Sequence, residues 1–252
     1  MRTFDAAGND AAGNTASRRV LFCFPFAGGG ASTYRKLRPY LPSDVRMYAV
    51  MLPGREELVH QPPFVEPGRL VAALTDAVLE CGVRPSAFFG HSMGAVLAFE
   101  VARELRRRGE PGPDVLAVSG AAAPHRRTDP RLRGPAVEDD DALCAMGGIP
   151  AGIRHSRVFE RVLLPALRAD VSMLRKYRYR PEPALDVTLA LFGGRGDPLV
   201  PTDTLLAWQQ LTTRISGVRL YAGGHFFVWR VLDKVADTIV RSWPEPRRAR
   251  VA

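Results

Sequence analysis
Lysine is nearly absent from this chain. Lys36, Lys176 and Lys234 are the three among 35 basic side chains, so arginine carries the positive charge. Such a skew reads as genome composition as readily as function. No recognised nucleic-acid reader accompanies it, which argues against DNA or RNA as a partner. Cysteine is scarce as well. Cys23, Cys81 and Cys144 are odd in number and lack C-x-x-C spacing, so neither a disulfide framework nor a zinc site is expected. Cys23 and Cys81 fall in apolar patterns and read as small core residues. No apolar run approaches the roughly 18 residues of a membrane span. Residues 1–20 lack the apolar stretch of a secretion signal, so a cytoplasmic protein with a flexible tail over residues 1–18 is expected.

What is present suits one large domain with an insertion: 252 residues, 46% hydrophobic and 24% charged. The net charge of +9 points toward an acidic partner protein or a phosphate-bearing substrate. Apolar runs alternate with helical patterns in the order of an α/β fold with a mostly parallel central sheet. Strands are expected over Arg19–Pro25, Arg46–Leu52, Ser86–Phe89, Val115–Ser119, Val187–Phe192 and Val218–Tyr221. Helices are expected over Tyr34–Leu41, Pro67–Glu80, Met93–Arg108, around Trp208, and over Val228–Trp243. In the second of these, Leu70, Val71, Leu74, Val78 and Cys81 recur at helical spacing. Arg106, Arg107 and Arg108 close the third, where cations complement the helix dipole. The alternation breaks between residues 121 and 183. Arginine- and proline-rich loops and the acidic run Glu138–Asp141 lead there into a helical stretch, Ser156–Tyr177, interrupted by Pro165. This segment reads as a helical lid inserted into a core of residues 19–120 and 184–245, the alternative being an ordinary pair of crossover helices.

Gly90-His91-Ser92-Met93-Gly94 falls between an expected strand and an expected helix. A chance G-x-S-x-G occurs in about one chain in ten of this length, so the flanking elements carry the weight. In that setting the pentapeptide is the nucleophile elbow of an α/β-hydrolase fold, with glycines making room for a strained serine. A serine hydroxyl needs a base, and the base an orienting carboxylate, in the chain order Ser, acid, His. His225 follows the last strand in Gly223-Gly224-His225-Phe226-Phe227 and is the expected base. His91 precedes the nucleophile and should point away, and His155 lies in the insertion. Asp197 is the expected acid, in a glycine turn after the Val187–Phe192 strand, with a capping role toward the Trp208 helix. Asp203 competes as a first-turn acid. Oxyanion donors are expected from the amide of Met93 and from the loop Pro25-Phe26-Ala27-Gly28-Gly29, with Ala27 favoured over Phe26. Ligand spacing gives metal catalysis no support, and no Gly-Lys-Ser/Thr follows the glycine loop to make it a phosphate cradle.

Taken together, Phe24-Pro25-Phe26-Ala27-Gly28-Gly29, Leu52-Pro53-Gly54-Arg55-Glu56, the elbow, Leu164-Pro165-Ala166-Leu167-Arg168-Ala169-Asp170, Gly193 to Asp197, and Gly224-His225-Phe226-Phe227 resemble the type II thioesterases of polyketide and nonribosomal peptide synthesis. The resemblance spans about Leu21 to Trp243. It implies hydrolysis of stalled acyl groups from the phosphopantetheine thiol of an acyl- or peptidyl-carrier protein, with Ser92, Asp197 and His225 as triad and no cofactor. A generic carboxylesterase, an acyltransferase or an idle carrier-binding protein are the alternatives. Gly30, where many relatives would have serine, reads as a variation without chemical consequence. Arg55 is a candidate carrier contact, or else an ion-paired residue near Glu56.

Overall fold
β2 (Arg19–Phe24), β4 (Ala87–His91) and β5 (Val115–Ser119) are apolar runs buried along almost their whole length, as strands covered on both faces must be. They form the centre of one seven-stranded sheet in a computed structural model that describes residues 1–4, 19–126 and 156–244. The other strands are β1 (Arg2–Phe4), β3 (Val45–Ala49), β6 (Leu185–Gly194) and β7 (Thr212–Tyr221). The spatial order is β1-β3-β2-β4-β5-β6-β7, parallel throughout except for β1.

Alternate residues of each strand serve opposite faces. Phe22, Phe24, Phe88, Leu116, Val118, Leu189 and Leu191 pack with α1 (Pro67–Glu80) and α2 (Met93–Arg107). Leu21, Cys23, Phe89, Ala117, Ala190 and Phe192 pack with the 3₁₀ helix Ala31–Tyr40 and with α5 (Leu232–Ser242). From β2 the chain steps to β3 on one side, then crosses back to β4 on the other. The carboxyl ends of β2 and β4 therefore flank the point where strand order reverses, and such a crevice is where open α/β sheets bind ligands.

Several elements depart from the sequence reading. Arg2–Phe4 pairs with β3 (Arg2 opposite Ala49) instead of belonging to a loose tail, because three extended residues suffice to occupy the open edge of β3. β7 starts at Thr212, earlier than expected, since Thr-Thr-Arg-Ile-Ser-Gly is an exposed edge segment with no apolar run. The expected closing helix is split at Val231 into a 3₁₀ turn, His225–Arg230, and α5. Residues 5–18 and 127–155, with Cys144, His155 and Glu138–Asp141, lie outside the described residues, as does the arginine-rich end beyond 244. Within 121–183, a π-turn over Phe159–Leu163 runs into α3 (Leu164–Lys176). Pro165 sits in the first turn of α3, directly after the π-turn, and offers no N–H to that turn's carbonyls. Met173 and Leu174 of α3 join the α1–α2 core.

The arginines at the end of α2 do more than complement a dipole. Arg103, Arg106 and Arg107 converge on Glu182 at 2.8, 2.7 and 3.0 Å. Arg103 also holds Glu100 at 2.6 Å, and Glu100 accepts the Tyr177 hydroxyl at 2.6 Å. The chain leaving α3 is thus tied to α2. At the other end of the 121–183 segment, fully buried Trp208 packs edge-on against Phe99 and donates its indole N–H to the Ala121 carbonyl at 2.8 Å. Trp208→Phe should strand that carbonyl and leave a void, costing about 2–3 kcal/mol. Urea unfolding with an unchanged slope would measure it; a loss below about 1 kcal/mol would show the contact to be dispensable.

Candidate active site
The turn from β4 to α2 works only because two side chains are missing. A Cβ on Gly90 would lie 2.2 Å from the Gly94 carbonyl carbon, and one on Gly94 would lie 2.0 Å from the Phe24 carbonyl oxygen. The elbow therefore closes on itself and presses against the end of β2. Between the two glycines Ser92 adopts φ 54°, ψ −118°, a conformation that costs a non-glycine residue energy and is held by the surroundings. Its amide donates to the Ser119 carbonyl at 2.8 Å, and its side chain is half-buried at the sheet's carboxyl edge. Met93 follows as the first residue of α2, where no preceding turn offers its N–H a carbonyl.

The loops after β6 and β7 are laced together. The Arg195 amide donates to the Tyr221 carbonyl at 2.8 Å and the Gly196 amide to Gly223 at 2.9 Å. Gly194 permits this approach, since a Cβ there would stand 2.6 Å from the Gly224 carbonyl oxygen. The lacing brings Asp197 Oδ2 to 2.8 Å from His225 Nδ1, with both side chains shielded from water. A carboxylate oxygen at that position accepts from Nδ1–H, which leaves Nε2 as the ring nitrogen directed away from Asp197. Asp197 Oδ1 accepts the Leu199 amide at 2.8 Å, closing an Asx-turn; it does not cap the following helix. Asp203 lies exposed in the first turn of α4 (Thr202–Leu206), apart from this pair.

His91 does not point clear of the site. Its ring lies 4.9 Å from that of His225 and packs among Phe26, Phe226, Phe227 and Trp229. Nδ1 meets the Ser119 hydroxyl at 3.0 Å. Burial, and secondarily the neighbouring His225, hold its pKa well below the ordinary imidazole value, so it stays neutral. A neutral ring places no positive charge beside His225.

The loop after β2 is shaped by residues that the sequence reading placed elsewhere. The Gly29 amide turns back to the Phe26 carbonyl at 2.8 Å. Asp170 Oδ2, on α3, accepts the Gly28 amide at 2.8 Å, and Arg55 Nη1 donates to the Gly29 carbonyl at 3.0 Å. Arg55 and Asp170 meet each other in a two-pronged ion pair at 2.7 and 2.8 Å. Arg55 is only 3% exposed, so it is no surface contact for a carrier, and its partner is Asp170, not Glu56. Glu56 instead accepts the amides of Ala31 and Ser32, each at 2.9 Å. Its carboxylate fills the space a side chain at Gly30 would need, with Glu56 Oε1 2.5 Å from a Cβ built there. Gly30 therefore has a steric consequence after all. None of these bonds uses the amides of Phe26 or Ala27. In a trans peptide the N–H points opposite to the C=O, so turning the Phe26 carbonyl into the loop turns the Ala27 N–H outward. The motifs around Arg55 and Asp170 were visible in the sequence, but nothing in their spacing showed that they meet.

The family model for the thioesterase domain matches residues 19–242. The chain belongs to the thioesterase family. Gramicidin S biosynthesis protein GrsT of Aneurinibacillus migulanus is 33% identical over 219 residues, covering 86% of this chain and 85% of that protein. Among solved structures, RedJ, a thioesterase from the prodiginine pathway of Streptomyces coelicolor, is similar with a TM-score of 0.78 at 34% identity, over 92% of this chain and 90% of its own. YbtT, a type II thioesterase from the yersiniabactin NRPS/PKS pathway, gives 0.77 at 30% identity over 92% and 95%. That YbtT structure is of a variant with alanine in place of a serine. The α/β-hydrolase fold and type II kinship expected from the sequence both hold, and the chain is a thioester-hydrolysing enzyme of this kind.

The neutral state of His91 has a measurable consequence. The unfolded chain takes up a proton there near pH 6.5 while the folded protein resists it, so stability falls as pH drops below that value. This group alone should make the fold progressively less stable between pH 7 and pH 5. Urea unfolding at the two pH values should show a shallower loss for His91→Gln; equal losses would mean that His91 is protonated in the fold.

Proposed function
We propose that Ser92, His225 and Asp197 act as nucleophile, base and orienting acid in the hydrolysis of acyl thioesters. The observation that carries this reading is the shielded Asp197–His225 pair, whose imidazole packs against His91 of a strained serine elbow. His225 Nε2 takes the Ser92 hydroxyl proton as the oxygen attacks the thioester carbonyl. The amides of Met93 and Ala27 stabilise the tetrahedral oxyanion, with Phe26 the second choice on the loop. Collapse expels the thiol, protonated by His225, and leaves an ester on Ser92. Water activated by His225 then attacks that ester and releases the free acid. A thiol is a good leaving group, so the cycle asks for no metal or cofactor.

The acyl donor in this reading is the phosphopantetheine arm of an acyl- or peptidyl-carrier protein of a polyketide or nonribosomal peptide synthase, cleared of stalled groups in the cytoplasm. YbtT, by its name, works in an NRPS/PKS pathway, and GrsT in gramicidin S biosynthesis. Residues 121–183 serve as the lid over the acyl group. Among the described residues, no helix is long and apolar enough to cross a membrane. With Arg55 buried, the exposed Arg195 and Arg230, on the segments that carry Asp197 and His225, become the candidate contacts for the phosphate or an acidic carrier.

Ser92→Ala should fold normally and lose at least about 10³-fold in kcat, and a fluorophosphonate should label wild type at Ser92 alone. Asp197→Asn should be comparably slow because it favours the wrong imidazole tautomer, while Asp203→Asn should stay near wild type. The reverse ranking would move the acid role to Asp203. Charge reversal in Arg195→Glu should lower kcat/KM on an acyl-carrier protein, most at low salt, and leave a short pantetheine thioester unaffected. Equal efficiency of wild type on both substrates at low salt would remove the carrier from the account.

A further inference from the structure
Resting on the oxyanion reading above, we propose that Arg55 and Asp170 are positioning residues that set the Ala27 donor, and that they do so only while α3 is seated. The two peptide planes flanking Ala27 are each fixed by one hydrogen bond. Gly29 N–H to the Phe26 carbonyl fixes the plane before Ala27, and Gly28 N–H to Asp170 Oδ2 fixes the plane after it. The first bond is local to the loop. The second depends on a helix 142 residues further along the chain. Gly28 stands at φ 77°, a conformation glycine adopts freely and leaves as freely, so an outside acceptor must hold it.

Asp170 could not remain there alone. A buried carboxylate needs a counter-charge, and Arg55 supplies one with both prongs while also binding the next carbonyl, Gly29. Stability is a weak reason for such a pair, because burying two charges costs much of what their attraction returns. Arg55 Nε has no partner among the described residues, so the guanidinium is not even fully satisfied. What the pair provides is geometry: two oxygens and two nitrogens that fit the Gly28–Gly29 backbone in one register. One turn before Asp170, Leu167 lies fully buried against Gly28, its Cδ1 3.3 Å from where a Cβ would stand. Displacing α3 therefore takes away the steric backing of Gly28, the acceptor of its amide and the counter-ion of Arg55 in one movement.

Asp170→Asn keeps the shape of the side chain but offers one acceptor oxygen where three donor groups converge. Arg55→Lys keeps the charge but not the fork. Each should lower kcat on a short acyl-pantetheine thioester about 10- to 100-fold, with KM within about threefold, since a displaced oxyanion donor acts on the transition state. Fluorophosphonate labelling of Ser92, whose tetrahedral adduct uses the same donors, should slow in parallel. The double variant should be no slower than the slower single one, as for two parts of a single device. A kcat within about twofold of wild type, a rise in KM at constant kcat, or additive losses would overturn the proposal. Failure of both single variants to fold would also overturn it, by making the pair a folding element. Absence of Ser92 labelling in wild type would instead overturn the site reading on which the proposal rests.

Discussion
The contact on which the site depends is that between the start of α2 and the carbonyl of Phe24. With Gly94 only a bare Cα away from β2, the nucleophile turn and the loop that follows β2 become a single piece of backbone. Ser92 cannot relax from its positive φ without moving that contact, and the loop carrying Phe26 and Ala27 begins two residues beyond Phe24. Strain at the serine and placement of the loop that carries Phe26 and Ala27 therefore have one common origin. It arises in turn from the sheet order, which makes β2 and β4 neighbours at the reversal point.

Around that junction the loops are fixed by polar contacts, where the sheet itself is fixed by apolar ones. The β6 and β7 loops are sewn to each other by backbone bonds that leave Asp197 and His225 facing one another. The β2 loop is bound by three charged side chains, Arg55, Glu56 and Asp170, drawn from two distant segments. His91 belongs to neither set. It fills the space beside His225 as a neutral aromatic body, so the neighbouring imidazole rests on packing and meets no second positive charge.

What could be read from the sequence followed physical visibility. β2, β4, β5, α1 and α2 carry period and apolar runs strong enough to locate within a residue or two, and α1 was bounded at both ends by its own pattern. The turns that carry Ser92, Asp197 and His225 were legible because glycines mark the strand ends. β7 was half missed because an edge strand need not be apolar, and Arg2–Phe4 because three residues carry no pattern. The pairing of Arg55 with Asp170 left no trace beyond the two motifs that contain them, since the partners are 115 residues apart. Pairing in space is the one property that neither composition nor periodicity records.

The segment between residues 121 and 183 is anchored at both ends to elements that do not move independently of the site. Trp208 fixes the carbonyl of Ala121, and the Ala123 amide donates to Thr204 at 2.9 Å. At the far end Glu182 is gripped by three arginines of the helix that starts at Met93. Both pins lean on α2, the helix that begins beside Ser92: Trp208 packs on Phe99, and Arg103, Arg106 and Arg107 hold Glu182, so the two described ends of the segment and the serine turn share one frame.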